Sequence, residues 1–285
     1  MCWDSERIKD ESRSDTQPIL DVRAVARRIE GVNAQALTDH VAVMNRLYPE
    51  VGAAAISVAG GVASFVGVDM PVSYAVDLGF AEPVAESDIL TVRDFYRSRA
   101  MAPRVDVCPL ADKTLLDGLR KHGFGLCWFV NVLARMLAAA DEISALPEGV
   151  VVRETSADDA ELWVRTVDAG FSDGKPMTDS GRRMATMLFH YPQTVNYLAE
   201  LNGKIAGAGA LSVFDGYAAF TTASVLPDCR GRGVHAALIR TRLTKARELG
   251  CDLAGIFALP GSTSQRNAER HAFRLMYSKA ILKAD

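Results

Sequence analysis

The residues of this chain best suited to chemistry are Arg230-Gly231-Arg232-Gly233, which follow the apolar stretch Ala223-Ser224-Val225-Leu226-Pro227 and lead into Val234-His235-Ala236-Ala237-Leu238. A strand running into a glycine loop at a helix start presents bare backbone N–H groups, so an anion, and a phosphate first of all, is the expected ligand. Gly231 and Gly233 permit positive φ and let a ligand approach the main chain closely. Arg230 and Arg232 either add charge for a pyrophosphate or stand solvated at the surface. Cys229, in the same turn, reads as a small filler rather than a reactive thiol.

These residues need a helix behind them and a sheet beneath them. After the loop, Ile239, Leu243 and Ala246 share one helical face, Arg240, Lys245 and Arg247 the other, and Gly250 supplies a stop. Before it, Asn202-Gly203 and Asp215-Gly216 each separate strand-like runs, so three antiparallel strands from Val195 to Val225 lead into the loop through tight hairpins. Helices are expected over 158–171 and 181–190, and a strand at Val150-Val151-Val152. Beyond the loop helix come a buried strand over 253–259, a short helix over 264–271 and a last strand over 273–282. Earlier in the chain, apolar residues at helical spacing fall on both sides of Gly31 between Asp21 and Arg46, and these stripes read as core. Two strands meet at Gly60-Gly61, followed by a helix over 88–99, a strand over 104–107, a helix over 115–121 and an apolar strand over 126–133.

The chain repeats itself. An offset of 149 aligns Lys121-His122-Gly123-Phe124 with Arg270-His271-Ala272-Phe273, and also Ala59-Gly60 with Ala208-Gly209, Gly67 with Gly216 and Val76 with Val225. One offset holding over separated segments implies two copies of one fold. In the first copy Ala81-Glu82-Pro83-Val84 stands where Arg230 to Gly233 stands in the second. Proline removes a donor and glutamate repels phosphate, so this copy has no cradle.

The stretch from Val225-x-Pro227 to Arg230-x-x-Gly233 resembles the acyl-CoA loop of the GNAT acetyltransferase superfamily, with His235 where that family usually has Gly or Ala. The doubling resembles tandem GNAT proteins, in which often one copy keeps a working site. The resemblance implies an α+β fold of two tandem GNAT-like domains, each a mostly antiparallel sheet flanked by helices. Residues 1–17 are expected to be a mobile tail, 18–140 a degenerate GNAT-like domain without a CoA loop, and 150–285 the acetyltransferase domain. It implies acetyl-CoA as cosubstrate, held through the main chain of Ala223, Ser224 and Val225 and through the loop residues Arg230, Gly231, Arg232, Gly233, Val234, His235 and Ala236. Ser262, Ser264 and Asn267 stand near the fourth helix of the copy; they either bond pantetheine amides or, in the case of Ser264, cap that helix.

The implied reaction is direct attack of an uncharged amine, from a small molecule or peptide, on the thioester, with a carboxylate or water as base and a tyrosine as acid. The usual tyrosine position holds Ala268, which leaves Tyr277 on the last strand as acid or as a core aromatic. Glu154, Asp173 and Asp179 are carboxylates in segments that flank the acceptor side. The histidines His190, His235 and His271 lack metal-type spacing, and no metal is expected. The alternative function is a non-catalytic CoA-binding or sensory module.

Composition narrows the surroundings. Across 285 residues a net charge of -3 gives no general attraction to nucleic acid or to an anionic membrane, so neither is an expected partner. Five cysteines without C-x-x-C spacing suggest neither a disulfide framework nor a zinc site, which points to a reducing cytoplasm. No apolar run spans a membrane, and the first residues lack the apolar core of a signal peptide. A monomer or homodimer is expected.

Overall fold

A computed structural model of the chain describes residues 21–68, 70–138 and 143–285; the expected tail at 1–17 lies outside them. Helix α1 (Val22–Leu47) starts at Asp21, whose side chain accepts from the N–H groups of Arg23 and Ala24, and ends before Pro49. It runs unbroken through Gly31, between the two expected apolar stripes. A helical glycine costs only about 1 kcal/mol against alanine, and the stripes on both sides are buried at Ala26, Ile29, Leu37 and Met44. The first half continues with β1 (Ala54–Val58), β2 (Gly61–Phe65), β3 (Ala75–Val76), α2 (Glu86–Arg97), β4 (Arg104–Val107), α3 (Lys113–Lys121) and β5 (Gly125–Met136).

The second half opens with β6 (Val150–Glu154) and α4 (Ala160–Phe171), which have no counterpart in the first, and then repeats that order in α5 (Asp179–Phe189), β7 (Thr194–Leu201), β8 (Lys204–Phe214), β9 (Tyr217–Ala219) and β10 (Ala223–Val225) in place of one strand, α6 (Val234–Glu248), β11 (Leu253–Ala258), α7 (Thr263–Arg270) and β12 (Arg274–Lys283). The two expected hairpins are present, with Asn202 and Asp215 at positive φ in their turns. The architecture is the expected mixed α+β fold with a large, mostly antiparallel sheet. Alternation along β7 places Tyr197 and Ala199 in the core under α6 and Leu198 in the core beneath α4 and α5, so helices cover both faces. Among the described residues no helix is long and apolar enough to cross a membrane.

All twelve strands form one sheet, in the order β1-β2-β3-β4-β12-β5-β11-β9-β8-β7-β6, with β10 joined to β8. The last strand of each half has crossed to the other: β12 lies between β4 and β5, and β5 lies between β12 and β11. The β5–β12 register carries the repeat into space. Gly125 faces Lys283 and Ala134 faces Arg274, while Trp128 faces Ile281 and Val132 faces Tyr277. Within each of these two sets, one pair becomes the other under the shift of 149, and Val130 faces its own counterpart Lys279. A pseudo-twofold axis therefore passes between Val130 and Lys279.

At that axis the Lys279 ammonium, fully buried, lies 2.8 Å from Glu30 Oε2 on α1 and 3.0 Å from Asp106 Oδ2 on β4. Burial alone would depress the lysine, but the two carboxylates outweigh it and hold its pKa above the ordinary value. Nearby, burial and then Glu30 push the Asp77 carboxyl up to about 7 from an ordinary 3.8. A carboxyl whose folded-state pKa is raised favours the folded state at low pH and loses that contribution as pH climbs from about 4 through 7. Asp77→Asn should therefore gain stability relative to the parent over that window and hold a constant advantage above it. Urea midpoints measured from pH 4 to pH 8 test this; a difference that does not change with pH would refute it. Asparagine also tolerates the φ of 62° found at Asp77.

Candidate active site

The site is built around a break in a strand. The strand expected over 217–225 is two pieces: β9 pairs with β11 as well as β8, whereas β10 pairs with β8 alone. The last bond to β11 is the Phe220 N–H donating to Gly255 O at 2.9 Å. Thr222 then turns through a φ of 40° and its carbonyl accepts from Ala210 N–H at 2.9 Å. Since Leu226 N–H donates to Ala206 O, two-residue alternation turns the main-chain groups of Ala223 and Val225 away from β8 and into the gap beside β11.

Arg242 holds the break from below. It is 1% exposed, its Nη1 donates to Ala210 O and Thr221 O at 3.1 and 3.2 Å, and it stacks over the Phe220 ring. Burial lowers its pKa to about 9, which leaves it cationic at neutral pH. Arg242 played no part in the sequence reading. The available signal was its position on the apolar face of α6, three residues after Ile239 and four before Ala246.

A cleft of about 820 Å³ opens beside β10 between α6 and α7. Of the residues expected to hold the cosubstrate, Ala223, Ser224, Val225, Arg230, Gly231, Gly233, Val234, His235, Ala236, Ser264 and Asn267 all line it; exposed Arg232 does not. Gly231 and Gly233 have φ of 73° and 83°, and α6 begins at Gly233 with no side-chain cap and no acid in its first turn. An uncapped N-terminus after two such glycines suits a phosphate. The Arg230 side chain is turned to the protein: it donates to Gly170 O at 2.8 Å and pairs with Asp173 at 2.6 Å, tying the loop to α4. Ser262, not Ser264, caps α7 through Gln265 N–H, which leaves the Ser264 hydroxyl to the cleft. Burial lowers the His235 pKa to about 4, and its Nδ1 lies 3.1 Å from Asn267 Nδ2.

A second cavity of about 270 Å³ reaches the break from the other side. It ends at Thr221 and Thr222 where the cleft begins at Ala223. Its far wall is the α1 stripe Ile29, Val32, Asn33, Ala36, Leu37 and His40. Sequence reading placed the α1 stripes in the core; Ile29 and Leu37 are buried there and also border this cavity. None of Glu154, Asp173 or Asp179 lines this cavity; Glu154 pairs with Lys245 at 2.7 Å.

Tyr277 stands apart from both spaces. Its hydroxyl donates to Glu30 Oε1 at 2.7 Å within the buried cluster around Lys279, and burial followed by Glu30 raises its pKa far above the ordinary tyrosine value. The geometry makes it the core aromatic of the two sequence alternatives. In the first half, the loop at Ala81-Glu82-Pro83-Val84 leads into a self-capped helix: Val84 N–H donates to Thr114 Oγ1 and Ala85 N–H to Asp88 Oδ2, both at 2.8 Å, with Glu86 and Asp88 in the first turn. A threonine hydroxyl and the Asp88 carboxylate thus take the N–H groups just before α2.

Residues 164–273, which supply most of the cleft lining, match the model of the Acetyltransferase (GNAT) family, and the whole chain shares its fold with a tandem GNAT protein. Among solved structures, a GCN5-related N-acetyltransferase from Kribbella flavida superposes with a TM-score of 0.63 at 16% identity, covering 89% of this chain and 96% of that one. A tandem GNAT protein from the clavulanic acid biosynthesis pathway gives 0.59 at 15% identity, covering 93% and 92%. The sequence has no significant match among curated proteins.

The two loop glycines should differ in their response to a methyl group. At Gly231 a Cβ would meet nothing within 4 Å, so Gly231→Ala carries only left-handed strain of about 1 to 2 kcal/mol. At Gly233 it would lie 2.9 Å from Pro147 Cγ, so Gly233→Ala should cost clearly more. Urea unfolding of both variants checks the order, and equal losses would count against this loop geometry.

Proposed function

We propose that this protein is an acetyl-CoA-dependent N-acetyltransferase that acetylates a small amine, with one cosubstrate site per chain, in the second half. The observation that carries this reading is that consecutive residues at the strand break, Thr222 and Ala223, line two cavities, one of them beside the bare N-terminus of α6. Bound acetyl-CoA supplies an activated thioester carbonyl. The N–H groups from Gly231 to Ala236 suit its pyrophosphate, and the outward main chain of Ala223 with the Val225 N–H suits its pantetheine arm, the Val225 carbonyl being taken by Arg230 Nε. Ser264 and Asn267 offer side-chain partners on the opposite wall. Val225 N–H, facing the gap, is the donor best set to polarise the carbonyl. Attack requires the neutral amine, delivered from the second cavity across Thr222.

One observation favours a second reading, a module that binds CoA without turnover: the Tyr277 hydroxyl is bonded to Glu30 and lies outside the cleft. Calorimetry and a free-thiol assay separate the two. The expected result is one acetyl-CoA bound per chain, at least tenfold weaker binding by Gly233→Val, and thiol release on adding an amine. Two sites per chain, or full affinity in Gly233→Val, would overturn the cradle assignment; binding without thiol release for any amine would favour the second reading.

A further inference from the structure

The cavity behind Thr222 also carries information about what enters it. Its volume of about 270 Å³ lies at the low end of small-molecule pockets, about 300 to 1,000 Å³, which suits a compact ligand. Its lining contains no Asp, Glu, Lys or Arg. Aromatic rings of Tyr74, Tyr191, Phe214, Phe220 and Phe257 face the aliphatic stripe of α1.

Four hydroxyls of that lining are committed to protein partners. Tyr191 donates to Asp39 at 2.8 Å, the hydroxyls of Thr194 and Ser212 bond each other at 2.7 Å, and Tyr74 donates to Asn33 Oδ1 at 3.3 Å. Among the described residues, the buried side-chain atoms of the lining left without a partner are Asn33 Nδ2 and His40 Nδ1. His40 is 7% exposed, and burial draws its pKa down to about 4, so the ring is uncharged. The nearest acids on α1 are already engaged, Asp39 by Tyr191 and Glu30 by Lys279 and Tyr277.

From this lining, and resting on the acetyltransferase reading above, we infer that the acceptor is a compact primary amine with an uncharged apolar or aromatic body, taken up as the free base and oriented by Asn33 and His40. A polycationic amine would bury ammonium groups with no counter-charge. An anionic one would meet no cation, and an extended peptide exceeds the space. The first half of the chain thereby selects the substrate, because α1 supplies both unpartnered polar atoms.

The test uses the full chain with 2-phenylethylamine, spermidine and a tripeptide, read both by thiol release from acetyl-CoA and by calorimetric binding of the amine in the presence of CoA. The aryl amine should exceed both others at least tenfold in kcat/KM and in affinity. Ala36→Phe, which fills the cavity, should weaken its binding at least tenfold while leaving acetyl-CoA affinity unchanged; Val32→Phe serves the same purpose if the first variant does not fold. Preference for spermidine or the tripeptide, or aryl-amine binding that is absent or indifferent to these substitutions, would overturn the inference while leaving the acetyltransferase reading intact. Substitution-sensitive binding of the aryl amine without thiol release from any amine would uphold the pocket assignment and defeat the catalytic one.

Discussion

The buried ion triad at Lys279 is the interaction on which the arrangement of this molecule depends. One ammonium on β12 is held within 3.0 Å of carboxylates on α1 and β4, three elements that are distant in sequence. Removing a single partner from such a group typically costs about 3 to 5 kcal/mol, because it leaves a buried charge without compensation. The triad sets the rotation of α1 over the sheet, and with it the face that α1 turns toward the second cavity. A second clamp acts nearby, where Arg28 of α1 bonds Asp252 at 2.7 Å and the carbonyl of Asp215. The α1 wall of the second cavity is thus pinned by ion pairs at the join of the two halves.

That join is symmetric where the binding sites are not. The β5–β12 pairing obeys a pseudo-twofold axis, yet the symmetric position of Lys279 is Val130, so only one side of the axis carries charge. The same divergence is seen at the two loops. In the second half the N-terminus of α6 is bare behind two glycines of positive φ; in the first half, Thr114 and Asp88 take the corresponding donors of α2. Two copies that share a sheet need not share a ligand. The first half has kept its packing surfaces and contributes α1 to the neighbouring cavity.

The parts of the fold legible in the sequence were those set by local backbone chemistry. Asn202-Gly203 and Asp215-Gly216 produced the two hairpins, and Gly231 and Gly233 the loop at the start of α6. The repeat offset of 149 followed from the sequence and reappears in the β5–β12 register. These features arise within a few residues, where sterics leave one conformation. For the same reason, nearly the whole cosubstrate set lines one cleft, since it comes from β10, the loop and the helix that follows, with Ser264 and Asn267 added by the next helix.

Only the tertiary structure decided the exchange of the last strands, the break at Thr222, the place of Tyr277 and the existence of the second cavity. An apolar strand such as β5 carries no mark of which edge it will join, because hydrogen-bond partners in a sheet are chosen by the whole assembly rather than by the strand. Likewise the stripe from Ile29 to His40 has the same periodicity whether it meets a packed core or an opening; the difference lies in how far the facing residues, Tyr74, Phe220 and Phe257, approach it. The sequence therefore determined that a two-glycine loop would open a helix behind a strand, and in which half. The shape of the cavity behind the strand break depended on α1, Arg242 and the Lys279 triad coming together from opposite ends of the chain.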